Sequence, residues 1–130
     1  MLKKFLETGN SLGLQLNEFE TWGGAYCIGI DKNLKRLFYM KKRQNVSEKE
    51  ILIDLHDLSS STIFNASRPV KAETVGENTV LDLLELNLRL GSTGKEESIE
   101  FYSRNENPVR KKEWELIQKW DSIVSGYISS

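Results

Sequence analysis

The sequence predicts an α+β domain: six or seven short antiparallel strands followed by one C-terminal amphipathic helix. Three observations carry this. Residues 80–90 alternate as a strand, with Leu84, Leu86, Leu88 and Leu90 on one side and Glu85, Asn87 and Arg89 on the other. Residues 107–128 repeat their apolar positions in steps of three and four, the period of a helix. Between Trp22 and Tyr102, short apolar segments alternate with turn residues at hairpin spacing. Strands in succession followed by a segregated helix indicate an antiparallel sheet needing a cover.

The elements follow in chain order. Residues 1–8 suit a short helix with Leu2, Phe5 and Leu6 on one side, ended by Gly9 and Asn10. Leu12, Leu14 and Leu16 then alternate as a short extended segment. Residues 1–21 are therefore read as an N-terminal extension, helical or extended, ahead of a domain spanning 22–130. Trp22-Gly23-Gly24 is a turn. Residues 25–31 and 37–41 form a hairpin, joined by a polar turn in which Asp31 and Asn33 sit at turn-favouring places. Residues 43–50 are polar and read as a loop. Ile51, Ile53 and Leu55 alternate with Leu52, Asp54 and His56, giving a strand with one face inward. Residues 57–61 turn the chain and 62–65 form another short strand. Val70, Ala72 and Val75 suit a weak edge strand, punctuated by Pro69 and Gly76.

In the strand at 80–90, the adjacent Leu83 and Leu84 mark a phase shift, a bulge or a stretch covered on both faces. Residues 91–95 make a hairpin loop, and 98–102 return with Ile99 and Phe101 inward. The helix then opens on Asn107 as N-cap and Pro108 at its first position. Leu116, Ile117, Trp120, Ile123, Val124, Tyr127 and Ile128 form its apolar stripe. Glu113, Glu115 and Asp121 fall among the polar residues, which argues against a membrane-surface helix. Gly126 suits a left-handed cap or a frayed end.

Composition narrows the function classes. A formal net charge of −1 gives no whole-molecule attraction to nucleic acid or membrane. The first 43 residues nevertheless carry eight Lys/Arg against four Asp/Glu, and the remainder ten against fifteen. The positive excess lies in Lys32, Lys35, Arg36, Lys41, Lys42 and Arg43, the candidate anionic-ligand patch; a solvated edge that resists strand pairing is the plainer reading. The single cysteine, Cys27, cannot form an internal disulfide, and no run approaches the ~20 apolar residues of a membrane span. A cytoplasmic location is expected, with a membrane-peripheral one as the alternative.

No catalytic, cofactor or metal constellation is expected. His56 is the only histidine and shares a polar strand face with Asp54, two groups where a metal site needs more. Neither Gly23-Gly24 nor the 91–94 loop opens a helix, so neither is a phosphate loop.

The strand order over residues 22–128 resembles the pleckstrin-homology-like (PH-like) superfold. The hairpin running straight into a Trp120-bearing helix adds to the likeness, and Ile53-Asp54-Leu55-His56-Asp57-Leu58 is similar to the third-strand phrase of bacterial members. The resemblance implies a bent antiparallel barrel or two-sheet sandwich capped by the C-terminal helix. It also implies a non-enzymatic interaction module for a protein or peptide; no cofactor is expected from the motifs, and no nucleic-acid partner, because basic and aromatic residues are not interleaved. A second implication is an anionic lipid headgroup bound by the six basic residues, although the family's alternating basic pair inside the second strand is absent here. A small α+β ligand-binding protein or enzyme using Asp54 and His56 is the third reading, and a dimer through an exposed Trp22 or Trp114 is a further possibility.

Overall fold

The computed structural model describes residues 2–43, 46–70, 78–103 and 111–128, with the backbone alone described at 43, 46–48, 67–70, 78–82 and 111–112. Two antiparallel sheets of four and three strands and two α-helices make up the fold, in the order α1 (Leu2–Ser11), β1 (Glu18–Trp22), β2 (Tyr26–Asp31), β3 (Arg36–Arg43), β4 (Val46–Asp54), β5 (Leu58–Val70), β6 (Asn78–Leu90), β7 (Glu96–Ser103) and α2 (Lys111–Ser125). A single 3₁₀ turn at Leu55–Asp57 separates β4 from β5. The chain divides into two compact units, residues 1–58 with 127–130, and residues 59–126. The expected class, α+β with seven strands and a C-terminal helix, is present; the described strands form two open sheets, not a closed barrel.

In the first unit the strand order is β1-β2-β3-β4. The predicted hairpin forms, with Lys35 in the left-handed region at φ 55° closing its turn. Three expectations are corrected. Residues 18–22, not assigned to a strand by pattern, pair with β2 from Glu18↔Ile30 to Trp22↔Tyr26. Residues 46–50, expected as loop, belong to β4, because the ladder with β3 runs on through Lys41↔Lys49 whatever the polarity of an edge residue. α1 runs through Gly9 and Asn10 to Ser11. Gly9 is buried there, and a Cβ on it would lie 3.0 Å from Leu16 Cδ1; the glycine permits close packing and does not end the helix.

One face of this sheet is covered by α1. Phe5 is fully buried and stacks on Phe38 at 5.2 Å between ring centres. Its Cζ lies 3.2 Å from where a Cβ on Gly29 would be, so Gly29 supplies the notch that seats the ring. Leu14, Cys27 and Met40 complete this core, with Leu6 and Leu16 at its margin. The opposite face carries Trp22, Tyr26, Ile28, Ile30, Leu37, Tyr39, Ile51 and Ile53, all buried. Trp22 stacks on Tyr26 at 5.3 Å, so it is not the exposed tryptophan a dimer contact required.

In the second unit the order is β5-β6-β7, and α2 packs on β6 and β7. Leu84, Leu86, Leu88, Ile99 and Phe101 are fully buried, as their alternation predicts. The register shift lies between Leu84 and Glu85: Leu84 faces Tyr102 while Glu85 faces Glu100, leaving Phe101 as the extra residue of a bulge. The bulge lets the adjacent Phe101 and Tyr102 both be buried. β5 is longer than the expected 62–65, and takes in residues 58–61 of the expected 57–61 turn.

α2 buries Leu116, Ile117, Trp120 and Val124, while Ile123, Tyr127 and Ile128 are half-buried. Glu113, placed on the polar face by type, is buried: it stands three and four residues before Leu116 and Ile117 and therefore on the stripe. The helix stops before Gly126, whose N–H reaches the Ile123 carbonyl at 3.3 Å without a left-handed backbone. The expected cap at Asn107-Pro108, and Ala72 and Val75 of the weak strand, lie outside the described residues. No helix among the described residues is long and apolar enough to cross a membrane.

Candidate functional site

The six basic residues fall into two groups along the chain. Lys32, Lys35 and Arg36 surround the β2–β3 turn, while Lys41, Lys42 and Arg43 lie at the far end of β3. Five steps of extended chain separate Arg36 from Lys41, about 17 Å. Odd and even positions also send these two side chains to opposite faces. Each group has its own environment. Lys32 pairs with Glu18 at 3.3 Å, and Lys35 is exposed. Arg36 pairs with Asp54 at 2.8 Å. Lys41 is buried and lies over the Tyr26 ring at 5.6 Å. Lys42 is half-buried, and the Arg43 side chain lies outside the described residues.

The turn end of the hairpin is held by Asp31. This buried carboxylate accepts backbone N–H groups of Leu34 and Asn33 at 3.0 Å each and of Gln15 at 2.9 Å. The N–H donors of Leu34 and Gln15 hold its pKa below the ordinary carboxylate value, against the opposing effect of burial. Asp31 thereby ties the 14–17 segment to the β2–β3 turn, aided by Lys32 N–H to Asn17 Oδ1 at 2.8 Å.

Asp54 and His56 are brought together, though not as neighbours on one strand. Asp54 caps the 3₁₀ turn by accepting the His56 N–H at 3.0 Å, and the same Oδ1 lies 3.0 Å from His56 Nδ1. The expected strand through His56 ends at Asp54 for this reason: an Asp side chain that captures the N–H two residues on competes with the ladder. Partial burial raises the Asp54 pKa, but the His56 N–H and ring and the Arg36 charge outweigh it and leave the pKa below the ordinary value. The side chains of Arg36, Asp54 and His56 are 35%, 47% and 57% exposed. A cluster so open to water is a surface network, worth little to stability. Among the described residues no three His, Cys, Asp or Glu side chains are grouped to hold a metal ion.

A different feature emerges from the registers. Phe19, Gly29, Phe38 and Leu52 are successive partners across β1, β2, β3 and β4, and so share one face of the sheet. Phe5 of α1 covers the middle of this row. Its two ends remain open, with Phe19 39% and Leu52 48% exposed. On β4, which ends the sheet, the same face presents Glu50, Leu52 and Asp54 at alternate positions, all exposed. An apolar residue flanked by carboxylates thus stands on a strand that, among the described residues, pairs on one side only. Sequence alone concealed it: Leu52 looked like the solvent side of a strand, and its membership of a row with Phe19 depends on three registers.

The chain matches no family model, no curated protein and no solved structure.

Proposed function

We propose that the chain is a non-catalytic interaction module of the PH-like kind, which takes an extended segment of a partner protein along the free edge of β4. The observation that carries this reading is the exposed Leu52 between Glu50 and Asp54 on a sheet-ending strand. A strand added to an edge gains backbone hydrogen bonds, and its alternate side chains read those beside them. The complementary partner is an extended segment with an apolar residue opposite Leu52 and a basic residue two positions to either side. Each such cross-strand pair contributes roughly 0.2–1 kcal/mol. Asp54 already holds Arg36, so Glu50 is the stronger of the two carboxylates for a basic side chain. The element order, seven strands in two antiparallel sheets and then a helix, supports the PH-like part of the reading.

The test is a titration of the isotopically labelled chain with a capped Lys-Thr-Leu-Thr-Lys peptide, followed by amide chemical shifts. Shifts concentrated on residues 49–54 support the reading. Shifts scattered over the chain, or confined to the Lys32–Arg36 turn, count against it.

A further inference from the structure

The second sheet also ends in a strand that, among the described residues, pairs on one side only, and its character is the opposite. β5 is the terminal strand of the order β5-β6-β7. From Leu58 to Ser67 it carries no charged side chain. Phe64 in its middle is 45% exposed and Thr62 beside it is exposed. Sheet-ending strands are usually protected from pairing by charges or by brevity. The other three terminal strands have charges: Glu18 and Glu20 on β1, Glu50 and Asp54 on β4, and Glu96, Glu97 and Glu100 on β7. β5 is thirteen residues long and has none over its first ten.

We propose that β5 is a self-association edge, pairing antiparallel with β5 of a second copy of this chain. Charge decides the occupant. A two-fold pairing centred anywhere from Thr62 to Asn65 sets no like charges opposite one another. The same operation on β1 centred on Phe19 sets Glu18 against Glu20, and on β4 centred on Leu52 sets Glu50 against Asp54; like charges directly opposite are destabilising. β4 is thus suited to a basic partner strand and β5 to its own copy. The two-fold operation places the two Phe64 side chains on one face of the joined sheet, and both lose exposed apolar surface. The dimer forms as concentration rises and is not permanent.

Sedimentation velocity of the full chain from micromolar to millimolar concentration tests this, beside Phe64→Lys and, should that variant unfold, Thr62→Lys. The native chain should pass from monomer to dimer, and either lysine should raise the dissociation constant by about two- to fivefold by placing like charges across the two-fold. Location is tested by thiol cross-linking of Thr62→Cys against Glu96→Cys on β7, the native Cys27 being fully buried. Thr62→Cys should cross-link and Glu96→Cys should not. A native chain monomeric throughout, lysine variants that dimerise as well as the native chain, or cross-linking equal at both positions would overturn the proposal.

Discussion

Replacing Phe5 with alanine tests whether α1 is part of the core of the first unit or merely lies against it. Phe5 is fully buried, and its ring stacks on Phe38 at 5.2 Å with 12° between planes. Burying a phenylalanine is worth about 1.5–3 kcal/mol in transfer free energy. The stacked pair adds about 0.5–1.5 kcal/mol. The notch over Gly29 has a rigid floor of paired strands, so the vacated volume will not collapse fully and a cavity contribution follows. The total is about 3–5 kcal/mol, the usual range for a buried Phe→Ala change. Urea unfolding followed by far-UV circular dichroism measures it, with Leu2→Ala as a control at the exposed start of the same helix, expected within about 0.5 kcal/mol of the native chain. A loss below about 1 kcal/mol for Phe5→Ala would mean that α1 contributes no core, and the seating argument would fail.

Three other outcomes are expected. Trp120→Ala, at a fully buried position on α2, should cost about 3–5 kcal/mol in the same assay; a change below about 1 kcal/mol would show that α2 is not what β6 and β7 pack against. Gly29→Val should destabilise by about 1–3 kcal/mol, since a Cβ already meets Leu16 Cδ1, Phe19 Cβ and Phe5 Cζ at 3.2 Å; Phe19 Cβ is fixed to a paired strand and cannot withdraw. Asp31 has a folded pKa below its unfolded one, so its contribution is fully present above the unfolded value and lost as pH falls through the folded value. Thermal melts of the native chain should therefore fall more steeply below pH ~4 than those of Asp31→Asn; parallel curves would refute this.

The parts of the fold legible in sequence are those whose burial is periodic. β6 has one face buried and its leucines alternate; α2 buries Leu116, Ile117, Trp120 and Val124, and the helical period shows it. β1 was missed because five residues with two glutamates carry too little pattern; only its ladder with β2 makes it a strand. The first half of β4 was hidden for the same reason, since β3 holds it in place. The break after Asp54 did have a local signal, an Asp two residues before a free N–H, but the alternation of Ile51, Ile53 and Leu55 ran across it. Six cations within twelve positions look like one patch in the sequence; the extended β3 sets Arg36 and Lys41 at its opposite ends and on opposite faces. The open row is in no local stretch at all, because Phe19 and Leu52 meet its ends only through Gly29 and Phe38.

The central claim is that the β4 edge reads a basic-flanked apolar strand, and a charge swap tests it most directly. Binding of Lys-Thr-Leu-Thr-Lys and Glu-Thr-Leu-Thr-Glu peptides is measured by calorimetry for the native chain and for Glu50→Lys. The native chain should prefer the lysine peptide, and Glu50→Lys should reverse the preference. A preference that survives the substitution unchanged would place recognition elsewhere on the molecule and contradict the claim.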